Sequence, residues 1–201
     1  ARGTRRPLLV VLICCICFGV SICSGSFEDL LRPVRIEVAS LERLSRHPAT
    51  ESYWSAGVYR FDDPEPDRAR AFGTCCTASS IDVAFAESVM YESGRFVGGS
   101  YEVPAAELSE RSVVRFACPR RKTLVLADLT GAVLKSLGLN NDVSASADYT
   151  VSQAWARAIY DAGLRWDGIR YVSRQMNKGF AYAIFERSGL FKLRADKLKA
   201  R

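Results

Sequence analysis

The stretch Trp166-Asp-Gly-Ile-Arg-Tyr-Val-Ser-Arg174 decides how we interpret the rest of this chain. It is typical of a short strand that breaks at Ser173, directly after an amphipathic helix over residues 151–162. A hydroxyl at the end of a strand is well placed to meet a ligand. The chain also places Glu87 on the apolar face of a predicted helix. Together these two polar residues indicate a functional site.

Predicted helices and strands alternate along the sequence. Helices are predicted over most of residues 27–47, with an interruption at Pro33, and over 79–90, 128–137 and 151–162. Strands are predicted over 57–61, 113–117, 124–127 and 180–185, and loops over 62–66, 94–111 and 140–149. We therefore expect an α/β or α+β fold, with a mixed central β-sheet and flanking helices.

Glu87 is the carboxylate that the helical pattern singles out. At 100° per residue it falls between Val83, Ala84, Met90 and Tyr91, on the face that should meet the core. A carboxylate in such a position either pairs with a cation or has a raised pKa. The pattern leaves two interpretations of Glu87 open. It is either part of a functional site or a partner in a salt bridge that only stabilises the fold.

The ends of the chain differ from its body. Arginines 2, 5 and 6 precede an apolar run over residues 8–22, so 1–26 form an N-terminal extension, interpreted as a cleaved leader, a membrane anchor or an artefact of a start read too far upstream. Residues 27–40 are predicted as a linker or helix, 41–188 as one globular domain, and 189–201 as a basic tail. Any membrane contact would involve only residues 8–22.

Charge and cysteine content exclude several function classes. The net charge of +6 comes from the ends, because residues 1–25 carry +3, residues 186–201 carry +4, and the body is close to neutral. The body has no RNA-binding aromatic motif or zinc-finger spacing, so no direct nucleic-acid partner is expected. Its three cysteines, Cys75, Cys76 and Cys118, make no disulfide framework, and with a single histidine no metal site is expected.

Seven short motifs follow one another along the body. They are Leu44-Ser-Arg-His-Pro48, Tyr59-Arg-Phe-Asp-Asp-Pro64, Phe72-Gly-Thr-Cys75, Val83-Ala-Phe-Ala-Glu-Ser88, Leu126-Ala-Asp-Leu-Thr-Gly131, Gln153-Ala-Trp155 and Asp167-Gly-Ile-Arg-Tyr-Val-Ser-Arg174. No single motif is specific, but their order resembles that of the RES-domain family, named for an arginine, a glutamate and a serine. The resemblance runs from about Leu41 to Ser188, which is the predicted globular domain.

The resemblance implies an NAD⁺-consuming enzyme with a fold similar to ADP-ribosyltransferase toxins. Such proteins cleave the nicotinamide–ribose bond, pass the ADP-ribosyl group to phosphate or water, and act as toxins that a cognate antitoxin protein inhibits. NAD⁺ is then the substrate rather than a bound cofactor, and inorganic phosphate is the co-substrate in some members. The cytoplasm, where NAD⁺ is abundant, is the expected location.

Site residues follow by position in the motifs. Glu87 matches the family glutamate and Ser173 the family serine, while Arg46 and Arg60 compete for the family arginine. Glu87, Ser173 and Arg60 form the expected catalytic set. The expected substrate-binding set consists of Arg46, Arg60, Cys76 and Tyr171. A carboxylate stabilises the positive charge that develops on the ribose in the transition state, and guanidinium groups bind pyrophosphate oxygens in bidentate fashion.

One position departs from the family pattern. Members commonly have Gly-Thr-x-Tyr where this chain has Gly73-Thr-Cys-Cys76, so a cysteine replaces an aromatic residue, for which Tyr91 or Tyr171 could compensate. We expect an enzyme weaker on NAD⁺ than a tyrosine-bearing relative. The alternative is a catalytically weak or inactive, membrane-tethered relative that acts as a ligand-binding or interaction protein.

Overall fold

A computed structural model describes residues 27–48, 52, 54, 55, 57–67 and 69–198. The predicted N-terminal extension and the last three residues of the predicted tail lie outside these ranges. The strands are β1 (Pro33–Glu37), β2 (Glu42–Ser45), β3 (Thr74–Ala78), β4 (Arg95–Val97), β5 (Ser100–Glu102), β6 (Ser112–Ala117), β7 (Thr123–Leu129), β8 (Gly168–Val172), β9 (Phe180–Phe185) and β10 (Phe191–Lys197).

Most helices are short. They are α1 (Phe27–Leu30), α2 (Ile81–Phe85, continued by a π-helical segment Ala86–Met90 and a final turn Tyr91–Ser93), α3 (Ala105–Ser109), α4 (Gly131–Ser136), α5 (Asp142–Ala145) and α6 (Thr150–Asp161). Single 3₁₀ turns follow β1 and β9, at Val38–Ser40 and Glu186–Ser188.

A mixed sheet of eight strands organises the described residues, in the order β1-β7-β8-β9-β3-β2-β6-β10. Strands β7 and β8 are parallel, and helices α4, α5 and α6 supply the crossover between them. The other strand pairs in this sheet are antiparallel. The predicted fold class, a mixed sheet with flanking helices, is therefore confirmed.

The two faces of the sheet pack into separate parts of the core. Along β9, Ala181, Ala183 and Phe185 join the cluster beneath α6, while Tyr182 and Ile184 join the cluster on the opposite face. Trp155 and Trp166 are buried in the α6 cluster. This alternation fixes which residues of neighbouring strands face the same side.

The prediction of a largely helical segment over residues 27–47 is wrong. Within this segment the only α-helix that the structure describes is α1. Residues 33–37 form β1, which pairs antiparallel with β7. Val34, Ile36 and Val38 alternate with charged residues, and this period of two is that of a half-buried strand. The sequence of this segment is compatible with both a helical period and a strand period of two. Pairing with β7 decides in favour of the strand.

Three further expectations are corrected. Residues 57–61 form a turn rather than a strand, and the predicted loop 94–111 contains the β4–β5 hairpin and α3. The hairpin turn is Gly98-Gly99, with φ of 57° and 88°, which favours glycine at both positions. The segment assigned to a basic tail includes β10, an edge strand paired with β6.

Candidate active site

One cavity brings the predicted site residues together. It has a volume of about 280 Å³ and lies between β2, β3, the cavity-facing side of α2, the turn at residues 57–61 and the end of β8. Arg46, Arg60, Cys76, Glu87 and Tyr171 line it. Ser173 lies directly behind Glu87, so all six residues belong to one region.

The closest polar contact in this region joins Ser173 and Glu87. The Ser173 hydroxyl donates a hydrogen bond of 2.5 Å to Oε1 of Glu87, and the backbone N–H of Gln175 donates to the same oxygen at 3.2 Å. The backbone N–H of Met176 donates to Ser173 Oγ at 3.0 Å. Ser173 is fully buried, so its hydroxyl is held between a donor and Glu87 and fixes the carboxylate rather than facing the cavity.

Glu87 sits in the π-helical segment of α2, a type of irregularity that occurs frequently at functional sites. The N-cap of its helix is Ser80, whose hydroxyl accepts a hydrogen bond from Val83 N at 3.4 Å. Val83 and Ala84 are buried as the pattern predicted, but Tyr91 is half exposed. Within the described residues Glu87 forms no ion pair, so its partners are a hydroxyl and a backbone N–H.

Two buried carboxylates shape the turn that carries Arg60. Asp62 is fully buried and accepts hydrogen bonds from Ser55 Oγ at 2.9 Å, Val58 N at 3.0 Å and Tyr59 N at 2.8 Å. Its neighbour Asp63 is equally buried and accepts hydrogen bonds from Glu65 N, from Phe72 N just before β3 and from Arg157 on α6. The two buried carboxylates therefore fix the conformation of the turn that carries Arg60.

The two predicted arginines differ in their surroundings. Arg60 donates to the Ser146 carbonyl at 2.7 Å, and its guanidinium lies over the Tyr149 ring, 4.7 Å from the centroid. Arg46 instead forms an ion pair with Glu107, and this hydrogen bond raises the pKa of Arg46 and lowers that of Glu107. Of these two arginines, Arg60 is the one that forms no ion pair with a carboxylate among the described residues.

Cys76 and Tyr171 share the floor of the cavity. They lie on the same face of the sheet, separated by β9, where the residues between them are Ala181 and Ala183. Burial raises the pKa of Cys76 to about 12 and the pKa of Tyr171 well above its usual value. The Tyr171 ring packs on Phe61, and its hydroxyl has no hydrogen-bond partner among the described residues.

The sequence missed three cavity residues. Arg43 lines the cavity and donates to Cys75 Sγ at 3.3 Å, and Tyr149 and Arg174 line the wall near Arg60. Tyr149 lies at the end of the segment 140–149, which was predicted as a loop but contains α5 (Asp142–Ala145). Arg174 directly follows Ser173 in the opening motif, so adjacency to the serine was the available signal.

Other motif residues hold the sheet together. Asp128 on β7 receives two hydrogen bonds from Arg170 on β8, at 3.0 and 2.6 Å. Asp167 is buried, accepts from Val125 N at 2.8 Å and pairs with Arg121 at 2.5 Å. These contacts fix the parallel β7–β8 pair, at whose end Ser173 lies.

The fold and the cavity together define an α/β protein whose cavity is lined by guanidinium groups, tyrosines and the fixed carboxylate of Glu87. The family model of the RES domain matches residues 33–197, and the chain belongs to this family. The RES domain is associated with NAD-related toxin function and indicates an NAD-utilising enzyme. No curated protein has a matching sequence.

A membrane-spanning helix needs about 20 predominantly apolar residues. Across residues 27–198, as far as the structure describes them, no helix combines the length and apolar character needed to cross a membrane. Cys75, Cys76 and Cys118 form no disulfide bond within the part of the chain that the structure describes.

Proposed function

We propose that this protein cleaves the nicotinamide–ribose bond of NAD⁺, passes the ADP-ribosyl group to phosphate or water, and acts as the toxin of a toxin–antitoxin pair. The observation that carries the proposal is the fixed carboxylate of Glu87, held by Ser173 at 2.5 Å beside a cavity that also contains uncompensated guanidinium charge. RES-family membership supports NAD⁺ as the substrate.

In the proposed reaction the bond between ribose C1 and the nicotinamide nitrogen breaks, and its electron pair stays with nicotinamide. The ribose then has oxocarbenium character, and an oxygen of phosphate or water forms the new bond at C1; when water is the acceptor, it releases a proton to the solvent. The Glu87 carboxylate stabilises the positive charge, which is greatest in the transition state. Ser173 acts as a positioning residue, because its hydroxyl proton is already donated to Glu87.

Tyr171 is the proposed replacement for the aromatic hydroxyl missing at position 76. It is buried, it lines the same floor as Cys76, and its phenol is close enough to Cys76 and Glu87 for their charges to raise its pKa, after the larger effect of burial. An unpaired hydroxyl in such a position can donate to a ribose hydroxyl or to the nicotinamide amide.

An antitoxin that covers the cavity is the proposed protein partner. Val58, Tyr59 and Tyr91 are 60%, 47% and 50% exposed, and the two tyrosines line the cavity. Exposed apolar and aromatic side chains of this kind are typical of the centre of a protein interface. An enzyme that consumes NAD⁺ acts where NAD⁺ is abundant, so we expect the cytoplasm.

The test is NAD⁺ loss catalysed by the purified full chain, with and without phosphate. The wild type should consume NAD⁺ and release nicotinamide, and Glu87→Gln should lower the rate by about 10²- to 10³-fold because the charge is removed from the transition state. Glu102→Gln, on the exposed β4–β5 hairpin, is the matched control and should keep the wild-type rate.

The second candidate is a ligand-binding relative without turnover, and Cys76 in place of the family tyrosine is the observation that favours it. Binding of ADP-ribose without any loss of NAD⁺, in the wild type and in Cys76→Tyr, would support this candidate and reject the enzyme.

A further inference from the structure

Four arginines, Arg43, Arg46, Arg60 and Arg174, line the cavity, but they are not equally able to bind an anion. Arg46 is the least suitable of them. Its guanidinium pairs with Glu107 and lies 3.6 Å from Glu92, while Glu107 and Glu92 also pair with the buried Arg111. Within this network the charge of Arg46 is balanced, and a phosphate placed there would meet two carboxylates.

Arg174 has the opposite character. Its guanidinium lies over the ring of Tyr91, 5.4 Å from the centroid, and forms neither a hydrogen bond nor an ion pair with any residue that the structure describes. It follows Ser173, the residue that holds Glu87, so its backbone is anchored beside the catalytic carboxylate. All of its N–H donors are therefore available to a ligand.

Arg60 and Arg174 belong to one continuous wall. Arg60 lies over Tyr149 and Arg174 lies over Tyr91. The neighbouring Tyr91 hydroxyl and burial raise the pKa of Tyr149, and both guanidinium charges oppose the increase. Both cations are therefore close to the Tyr149 hydroxyl, and each of them lies over an aromatic ring.

We propose that Arg60 and Arg174, rather than Arg46, bind the pyrophosphate of the dinucleotide, with the Tyr91–Tyr149 pair between them. This inference rests on the proposed function and assigns its anion-binding subsite. Two guanidinium groups match the two negative charges of a pyrophosphate, and stacking on aromatic rings orients their donors for bidentate contacts.

Isothermal titration calorimetry with ADP-ribose, which keeps the pyrophosphate and lacks nicotinamide, tests the assignment without requiring turnover. Arg174→Gln should weaken binding by about 10- to 100-fold, because hydrogen bonds between charged partners are lost. Arg174→Lys keeps the positive charge but loses the planar guanidinium group. Its dissociation constant for ADP-ribose should lie between those of the wild type and Arg174→Gln. Arg46→Gln should change the dissociation constant by less than about 3-fold, as expected for a compensated charge.

A second readout uses nicotinamide riboside, which has the scissile bond and no pyrophosphate. Wild type and Arg174→Gln should cleave it at the same rate, while only NAD⁺ cleavage shows a raised KM in the variant. A larger loss in Arg46→Gln than in Arg174→Gln, or a wild type that does not bind ADP-ribose, would overturn the assignment. Binding that depends on Arg174 in a protein that leaves NAD⁺ intact would reject the proposed function and keep the subsite.

Discussion

The hydroxyl of Ser173, at the end of β8, lies 2.5 Å from Oε1 of Glu87 on α2, although 86 positions separate the two residues in the chain. The contact joins a sheet element to a helix that packs on a different part of the sheet. It fixes the orientation of the carboxylate before any ligand arrives, and preorganised charge of this kind contributes strongly to transition-state stabilisation.

Ser173→Ala should lower kcat on NAD⁺ by about 10²-fold with little change in KM, because a displaced carboxylate no longer meets the developing charge. Steady-state kinetics of nicotinamide release measure this. Ser144→Ala removes a buried serine outside the cavity, whose hydroxyl donates to the Asn141 carbonyl and to no other residue that the structure describes, and should retain the wild-type kcat. An equal loss of kcat in both variants would show that Ser173 has only a structural role.

Asp62→Ala should destabilise the fold by about 3 kcal/mol, because three donors of the Arg60 turn lose a buried carboxylate acceptor. Urea unfolding measures the change. Asp67→Ala, which removes a carboxylate half exposed to solvent, should cost less than about 1 kcal/mol. A difference below about 1 kcal/mol between the two variants would contradict the assigned role of Asp62.

Gly179→Ala should weaken catalysis by displacing α2. A Cβ at residue 179 would lie 2.2 Å from Cγ2 of Val83, one helical turn before Glu87, so the helix, the backbone at residue 179 or both must shift. Val83→Ala removes the obstructing methyl groups, and the double variant should recover most of the activity that Gly179→Ala loses. NAD⁺ cleavage by the four proteins of this double-mutant cycle measures the coupling, and additive losses would exclude it.

Tyr171→Phe should slow NAD⁺ cleavage by about 10-fold, the usual effect of one lost hydrogen bond. Cys76→Tyr should raise the wild-type rate and restore part of the rate of Tyr171→Phe, because both positions face the same floor. Tyr182→Phe, on the opposite face of the sheet, is the matched control. An unchanged rate in Cys76→Tyr would show that position 76 makes no important contact.

Stability should fall as the pH rises from about 9 towards 12, and less steeply in Cys76→Ala. Burial raises the pKa of Cys76 from 9.0 to about 12, so above pH 9 the unfolded chain loses a proton that the folded protein keeps. The folded state binds more protons in this window, and the free energy of unfolding decreases with pH. Urea unfolding of both proteins at several pH values from 7 to 11 would reveal the difference, and parallel curves would contradict it.

The sequence by itself determined the fold class and the family, and it proposed site residues that the fold brings to one cavity. Two features were local: the amphipathic period of α6 and the strand that ends before Ser173, and both depend only on neighbouring residues. Glu87 was detectable because a carboxylate on an apolar helix face is unusual. The ordered motifs then indicated the RES domain, which the family match confirms.

Tertiary structure decided the parts that depend on distant partners. Residues 33–37 became a strand because β7 offered a partner, and residues 57–61 became a turn because Asp62 captured their backbone N–H groups. Whether an arginine is free or compensated depends on which carboxylates the fold brings to it, and helix α3 brings Glu107 to Arg46. Charge compensation across 61 residues has no local signature in the sequence, and for that reason the sequence alone could not distinguish Arg46 from Arg174.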